Sequence, residues 1–315
     1  MKDLRIVFMG TPDFAVQTLR SIVEAGYEVV GVVTAPDKPA GRGRKLQESA
    51  VKKYAVEKGL EVLQPSNLKS EVFLAELKKL QANLQVVVAF RMLPEVVWRM
   101  PEFGTFNLHA SLLPQYRGAA PINWAVINGE IETGVSTFFI DEKIDTGEMI
   151  FQEKVQIDPK ENVGSLHDKL MYTGAKLVVK TLESIENGDI KTTSQKEEKD
   201  LKTAYKLTRD NTRINWQDSL DNIYNFIRGL SPYPTAWTQL INGNEEVMMK
   251  IYAAEKEAEP HKLETGTIVT EEKEVKVAVQ DGFIILQEIQ LPGKRKMPVK
   301  DLLNGYKFFP DAKVR

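Results

Sequence analysis

LRIVFMGTPDFAVQTLRSIVEAGYEVVGVVT, residues 4–34, decides the fold. Leu4 to Met9 is a short apolar run of β-forming residues, and Gly10-Thr11-Pro12-Asp13 breaks it. From Phe14 to Ala25, the residues Phe14, Val16, Leu19, Ile22 and Val23 recur at helical spacing. Asp13 or Thr11 is placed to cap that helix and Gly26 to close it. Tyr27 to Thr34 is a second apolar strand. Strand, helix and strand in so short a span open a parallel sheet, because parallel neighbours need a crossover between them. The expected fold is α/β: a Rossmann-like, mostly parallel sheet with helices on both faces. Gly10 is one glycine where a dinucleotide fingerprint wants three, so the first turn reads as a tight strand-to-helix connection.

The same alternation continues downstream. Helices are expected over 48–58 and 70–80, and LQVVVA (84–89) reads as a central strand. Further strands follow at 105–109, 134–140 and 148–155, then a long amphipathic helix from Ser165 to Ile185. Lys191 to Lys202 is highly charged with almost no apolar anchors. Beyond Thr208 come β-rich runs at 236–241, 247–253, 266–270, 274–278 and 283–290, joined by turns as in a small, OB-like barrel. The expected division is a catalytic domain over 1–190, a linker over 191–207 and a barrel domain over 208–315.

Composition narrows the chemistry. The chain has 315 residues and a net charge of −2, so any surface suited to a polyanion is local. It has no cysteine, which removes disulfides, thiolate catalysis and cysteine-bound metals. Its three histidines, His109, His167 and His261, lack metal-ligand spacing, and no metal is expected. No run approaches the ~18 apolar residues of a membrane span, nor does the start resemble a signal peptide. A cytoplasmic protein is the expectation.

The polar chemistry gathers between Gly104 and Gly147. In the strand Thr105 to His109, alternation sets Phe106 and Leu108 on one face and Asn107 and His109 on the other. Downstream lies Asp145, in an Asp-Thr-Gly turn. Asn107 offers an amide donor for a developing oxyanion, His109 a proton carrier near neutral pH, and Asp145 a carboxylate able to orient it. The set suits acyl transfer to a nucleophile brought by a substrate, since no serine or cysteine nucleophile with its own base is evident. A lone strand histidine is also compatible with a purely structural role. A single Asp-Thr-Gly after a long α/β run does not make an aspartic protease.

Two basic loops stand out. Ala35 to Leu46, APDKPAGRGRKL, sets Lys38, Arg42, Arg44 and Lys45 against Asp37 alone, and its prolines and glycines are expected to keep it irregular. It reads either as a solvated loop or as an arm reaching phosphates by charge. The other loop is Gly293 to Met297, with Lys294, Arg295 and Lys296.

FMGTPDFA, VVTAPDKPAGRGRKL, FNLHASLLPQYRGAAPINWAV and IDEKIDTGEMI, with INWQ, IRGLSPYPTAWT and GKRKM in the C-terminal part, resemble the methionyl-tRNA formyltransferases. The Asn-x-His-x-Ser-Leu-Leu-Pro run with its later Asp-Thr-Gly is shared with the wider folate-dependent formyltransferases and hydrolases. The resemblance implies Asn107, His109 and Asp145 as the catalytic trio and 10-formyltetrahydrofolate as formyl donor. The implied acceptor is the α-amine of methionine on initiator tRNA. It implies a pterin cleft at Phe90, Arg91, Met92 and Leu93, at Ser111, Leu112, Leu113 and Pro114, and from Ile140 to Asp145. Leu93, Leu112 and Val97 would supply apolar contact there. Members often carry Ala-Tyr-Gly where this chain has Ala89-Phe90-Arg91; an Arg91 side chain in the cleft would alter the space for the ring. The basic loop, Arg42 first, and the barrel through Lys294, Arg295 and Lys296 would hold the tRNA. A monomer without a membrane partner is implied. The alternative is a formyltransferase acting on a small amine, a sugar nucleotide or glycinamide ribonucleotide.

Overall fold

In a computed structural model, described for residues 2–40, 45–196 and 199–315, the opening stretch forms β1 (Arg5–Gly10), α1 (Asp13–Glu24) and β2 (Glu28–Val33), with β1 and β2 parallel. α1 buries Phe14, Ala15, Leu19 and Ile22. Its start differs from expectation. Pro12 occupies the N-cap with no side-chain cap, and Asp13 lies in the first turn, where its charge meets the positive end of the helix. Gly26, at φ +83°, takes the left-handed position past the end. At Gly10 a Cβ would stand 2.6 Å from the Ala15 Cβ and 3.0 Å from the Val88 carbonyl oxygen, so this glycine lets helix and strand close up.

The chain continues through β3 (Lys38–Ala40), β4 (Lys45–Gln47), α2 (Ala50–Glu57), β5 (Val62–Leu63), α3 (Glu71–Lys79), β6 (Leu84–Val88) and α4 (Glu95–Trp98). Then come β7 (Thr105–His109), β8 (Arg117–Gly118), α5 (Pro121–Ile127), β9 (Glu132–Phe139), β10 (Met149–Gln156) and α6 (Val163–Asn187). The main sheet has the order β10-β9-β7-β6-β1-β2-β5. From β5 to β7 all pairs are parallel, and β9 runs antiparallel to β7. On one face Val7, Met9, Val33 and Val87 pack with Phe73 and Leu77 of α3 and Val97 of α4. On the other, Gly174 of α6 lies so close to Leu108 of β7 that a Cβ would be 2.7 Å from its side chain. Thr181 of α6 and Thr137 of β9 share a 2.9 Å hydrogen bond.

The basic loop is more ordered at its base than expected. β3 and β4 pair antiparallel, with Lys38 opposite Gln47 and Pro39 opposite Leu46. An isolated two-strand ribbon is all edge, and a proline is tolerated at an edge because no ladder needs its missing N–H.

Two compact units emerge. The first comprises Met1–Gly118, Thr133–Val155 and His167–Thr203; the second comprises Ala119–Glu132, Gln156–Leu166 and Ala204–Arg315. The stretch 191–207 is thus divided at Thr203 and Ala204. The C-terminal part contains β11 (Thr203–Ala204), α7 (Leu220–Leu230), β12 (Ala236–Asn242), β13 (Glu245–Glu257), β14 (Ile268–Glu271), β15 (Glu274–Val279) and β16 (Gly282–Gln290). It ends with β17 (Met297–Pro298), α8 (Val299–Leu302) and β18 (Lys313–Val314). The strand order is β14-β15-β16-β13-β12-β18, and an antiparallel bridge from Thr267 to Lys313 nearly closes the barrel. Register shifts around Ala253 bend the long β13. Ile223, Ile227 and Leu230 of α7 join the core with Met249, Ile251, Val277 and Ile284.

Tyr306 marks the edge of that core. Its hydroxyl donates to Glu245 Oε2 at 2.8 Å and accepts from Asn242 Nδ2 at 3.1 Å. Burial, then the Glu245 bond, pushes its pKa up to about 12. A folded pKa above the unfolded one stabilises fully below about pH 10 and ceases to as pH rises through about 12. Thermal melts of Tyr306→Phe between pH 9 and 12 are expected to fall less steeply with pH than those of the parent chain.

Candidate active site

β7 carries Asn107 and His109 on the face away from α6, because Leu108 takes the α6 side. His109 is 7% exposed. Its Nε2 lies 2.8 Å from the carbonyl oxygen of Tyr116. A carbonyl only accepts, so Nε2 carries a proton in every charge state, and Nδ1 is the nitrogen that gains or loses one. Nδ1 faces Asp145, whose Oδ2 is 3.8 Å away. That is ion-pair range, beyond direct hydrogen bonding. Oδ2 also accepts the Gly118 backbone N–H at 2.9 Å. Asn107 is half-buried, and among the described residues its amide has no protein hydrogen-bond partner. Both residues that meet the imidazole are left-handed: Tyr116 has φ 60° and Asp145 φ 55°. Such positions cost about 1–3 kcal/mol each for non-glycine residues and persist only where their surroundings hold them. The sequence-predicted amide, imidazole and carboxylate therefore lie within one compact unit.

The Ser111–Pro114 loop is built by its neighbours. Ser136, opposite His109 across β7 and β9, donates its hydroxyl to the Ser111 carbonyl at 2.6 Å and accepts the Leu113 N–H at 3.1 Å. Gln152 donates to the Leu113 carbonyl and to Ser136 Oγ, both at 2.9 Å. The Ser111 hydroxyl bonds to the Gln115 carbonyl at 2.6 Å. Leu112 lies against Gly134, and the Leu113–Pro114 peptide is cis. Hence Ser111 and the Leu113 backbone are occupied in shaping the loop, which leaves side-chain surface for contact.

Leu93 is buried with Val97, Phe90 packs against the same cluster, and Met92 is exposed. Ile140 donates its N–H to the Thr105 carbonyl at 2.8 Å and packs on that cluster too. Arg91 donates to the carbonyls of Pro65 and Ser66, the latter at 3.0 Å, with burial pulling its pKa below the ordinary value. Asp141 shapes the Asp145 loop by accepting from the Lys143 N–H at 3.0 Å and Thr146 Oγ1 at 2.7 Å.

At the base of the basic loop, Asp37 accepts from Lys52 at 2.5 Å and Gln64 at 2.8 Å. Lys52, then Gln64, hold its carboxyl below the usual range. Asp37 is thus a local anchor. Lys38 is exposed on β3; Arg42 and Arg44 lie outside the described residues, as does the side chain of Lys45. In the barrel unit Lys294 and Arg295 are exposed, whereas Lys296 pairs with Glu288 at 2.6 Å and lies 5.1 Å over Tyr252.

Sequence reasoning missed Tyr116, Gly118, Ser136, Gln152 and Gln195. The first two act through backbone groups and carry no side-chain signature. Gln195 lies in a charged stretch without periodicity, and only its position in space marks it.

Residues 4–182 match the family described as formyl transferase, and residues 206–307 match the formyl transferase C-terminal domain. Over 100% of both chains the sequence is 60% identical to the methionyl-tRNA formyltransferase of Flavobacterium johnsoniae. It is 55% identical to that of Bacteroides thetaiotaomicron, over 99% of each chain. Among solved structures, WlaRD, a sugar 3N-formyl transferase determined in the presence of dTDP and 5-N-formyl-THF, matches with TM-score 0.64 at 20% identity, over 94% of this chain and 100% of that one. HypX from Aquifex aeolicus in complex with tetrahydrofolic acid matches with TM-score 0.64 at 19% identity, over 96% of this chain and 47% of that one. At such identities the likeness is one of fold.

Proposed function

The chain belongs to the formyl transferase family, and on that premise we propose that it transfers a formyl group from 10-formyltetrahydrofolate to the α-amine of methionine on initiator tRNA. The observation that carries this reading is the 60% identity, end to end, with a methionyl-tRNA formyltransferase. The geometry of the first unit supplies a reaction path consistent with it.

The neutral amine attacks the formyl carbon; a new C–N bond forms and the bond from that carbon to the folate nitrogen breaks. Negative charge builds on the formyl oxygen, within reach of the Asn107 amide and the His109 Nδ1–H. Nδ1 takes this role because Nε2 is already given to Tyr116. The Asp145 carboxylate faces Nδ1 across 3.8 Å. Its Oδ1, without a protein partner among the described residues, is open to receive the amine's proton directly or through water. A proton returns to the departing folate nitrogen, so none is gained or lost overall.

The folate ring is assigned to the surface of Phe90, Met92, Leu93, Leu112 and Ile140, with Arg91 tied back at Pro65 and Ser66. The tRNA is assigned to the Lys38–Lys45 loop and to the barrel at Lys294 and Arg295. Lys296 is the weaker candidate, because Glu288 already neutralises it.

Acceptor choice is tested by offering labelled 10-formyltetrahydrofolate with methionyl-tRNA, glycinamide ribonucleotide or an amino-sugar nucleotide. Methionyl-tRNA is expected to outcompete both small amines in kcat/KM by orders of magnitude. A preference for either small amine would overturn the acceptor assignment.

A further inference from the structure

Three consecutive residues, Tyr116, Arg117 and Gly118, make three different contacts around the proposed centre. The Tyr116 carbonyl takes His109 Nε2 at 2.8 Å. The Gly118 N–H takes Asp145 Oδ2 at 2.9 Å. Arg117 reaches the same loop indirectly: its Nε and Nη2 donate to Gln195 Oε1 at 3.1 and 2.6 Å. The Gln195 amide nitrogen then donates to the carbonyls of Asp145 and Gly147, at 2.9 and 2.8 Å. One glutamine side chain thus spends its acceptor on Arg117 and its two donors on the backbone at and just beyond Asp145.

That placement is braced. Thr193 and Met149 exchange backbone hydrogen bonds of 2.9 Å each way, and Thr192 Oγ1 donates to Glu148 Oε2 at 2.5 Å. Gln195 therefore extends from a segment fixed along β10. The residue it clamps needs a clamp, because Asp145 is a non-glycine residue at φ 55°. Released, the loop can relax toward a right-handed or extended backbone, which would redirect the carboxylate from His109 Nδ1.

We infer that Gln195, set by Arg117, is a positioning residue for formyl transfer: it fixes the Asp145 backbone so that the carboxylate faces His109. The inference rests on the formyl-transfer reading of the site. Gln195 touches neither reacting group; it acts through the loop.

The test compares Gln195→Ala, Gln195→Glu, Asp145→Asn and the Gln195→Ala/Asp145→Asn double variant, in full-length protein, by kcat and KM for methionyl-tRNA and by thermal melting. Gln195→Glu keeps an acceptor for Arg117 but puts a carboxylate oxygen against two carbonyls, so it removes the clamp without removing bulk. Both Gln195 variants are expected to lose about 10- to 100-fold in kcat, the scale of an ångström-sized misplacement, with KM changed less than about 2-fold. In the Asp145→Asn background, Gln195→Ala is expected to lower kcat no further, since the two act as one unit. A merely structural role would move the melting temperature and add to Asp145→Asn independently. Full kcat in whichever Gln195 variant folds, or additive losses in the double variant, would overturn the proposal. The wild-type rate in the same assay separates the two readings. No wild-type transfer sinks the functional reading and this proposal together; wild-type transfer with undiminished Gln195 variants sinks this proposal alone.

Discussion

His109→Ala is expected to lower the single-turnover rate of formyl transfer by about 10³-fold, with methionyl-tRNA affinity unchanged. The substitution removes the imidazole that shares the Asn107 face of β7. With Nε2 given to Tyr116, the lost function is specifically the Nδ1 proton. The Tyr116 carbonyl also loses the His109 N–H, which costs stability. Rates are therefore compared at a temperature where melting curves show both proteins folded. Rapid-quench measurement of formylmethionyl-tRNA with enzyme in excess isolates the chemical step. A variant within about threefold of the parent rate would remove His109 from the mechanism and leave Asn107 as the remaining donor on that strand face.

Asp145→Asn is expected to cost about 10²-fold in the same measurement. The amide oxygen can still accept the Gly118 N–H, so the loop keeps its shape. The negative charge 3.8 Å from the ring is gone, and the amide nitrogen, which takes the place of Oδ1, cannot receive the amine's proton. The effect should fall on kcat with KM retained, because the change alters proton placement rather than the binding surface. Unchanged kcat would make Asp145 a loop-shaping residue only.

The first strand–helix–strand unit was legible because it obeys two periodicities over more than a turn of helix, and the structure places it at Arg5–Val33. The alternation along Thr105–His109 was legible for the same reason: α6 covers the Leu108 face and Asn107 with His109 takes the other. The barrel strands were readable from short β-rich runs between turns. Three features were not. Pro12 replaced Asp13 at the helix cap, because an unsatisfied first turn can be served by charge as well as by a side-chain bond. The base of the basic loop formed a ribbon despite Pro39, since edge strands tolerate what central strands reject. The support of the candidate site came from Tyr116 and Gly118 through their backbones, and from Gln195, 50 residues beyond Asp145 in sequence. Backbone groups are the same in every residue, and a single long-range glutamine leaves no pattern. Arg91, whose direction the sequence left open, donates to two carbonyls 25 and 26 residues upstream.

The account turns on where the formyl group goes. Incubation with 10-formyltetrahydrofolate labelled in the formyl carbon and with initiator methionyl-tRNA, followed by mild base to release the amino acid, measures it directly. The predicted result is label in N-formylmethionine, formed one for one with tetrahydrofolate. Label released as free formate, or none leaving the folate while methionyl-tRNA is present, would contradict it.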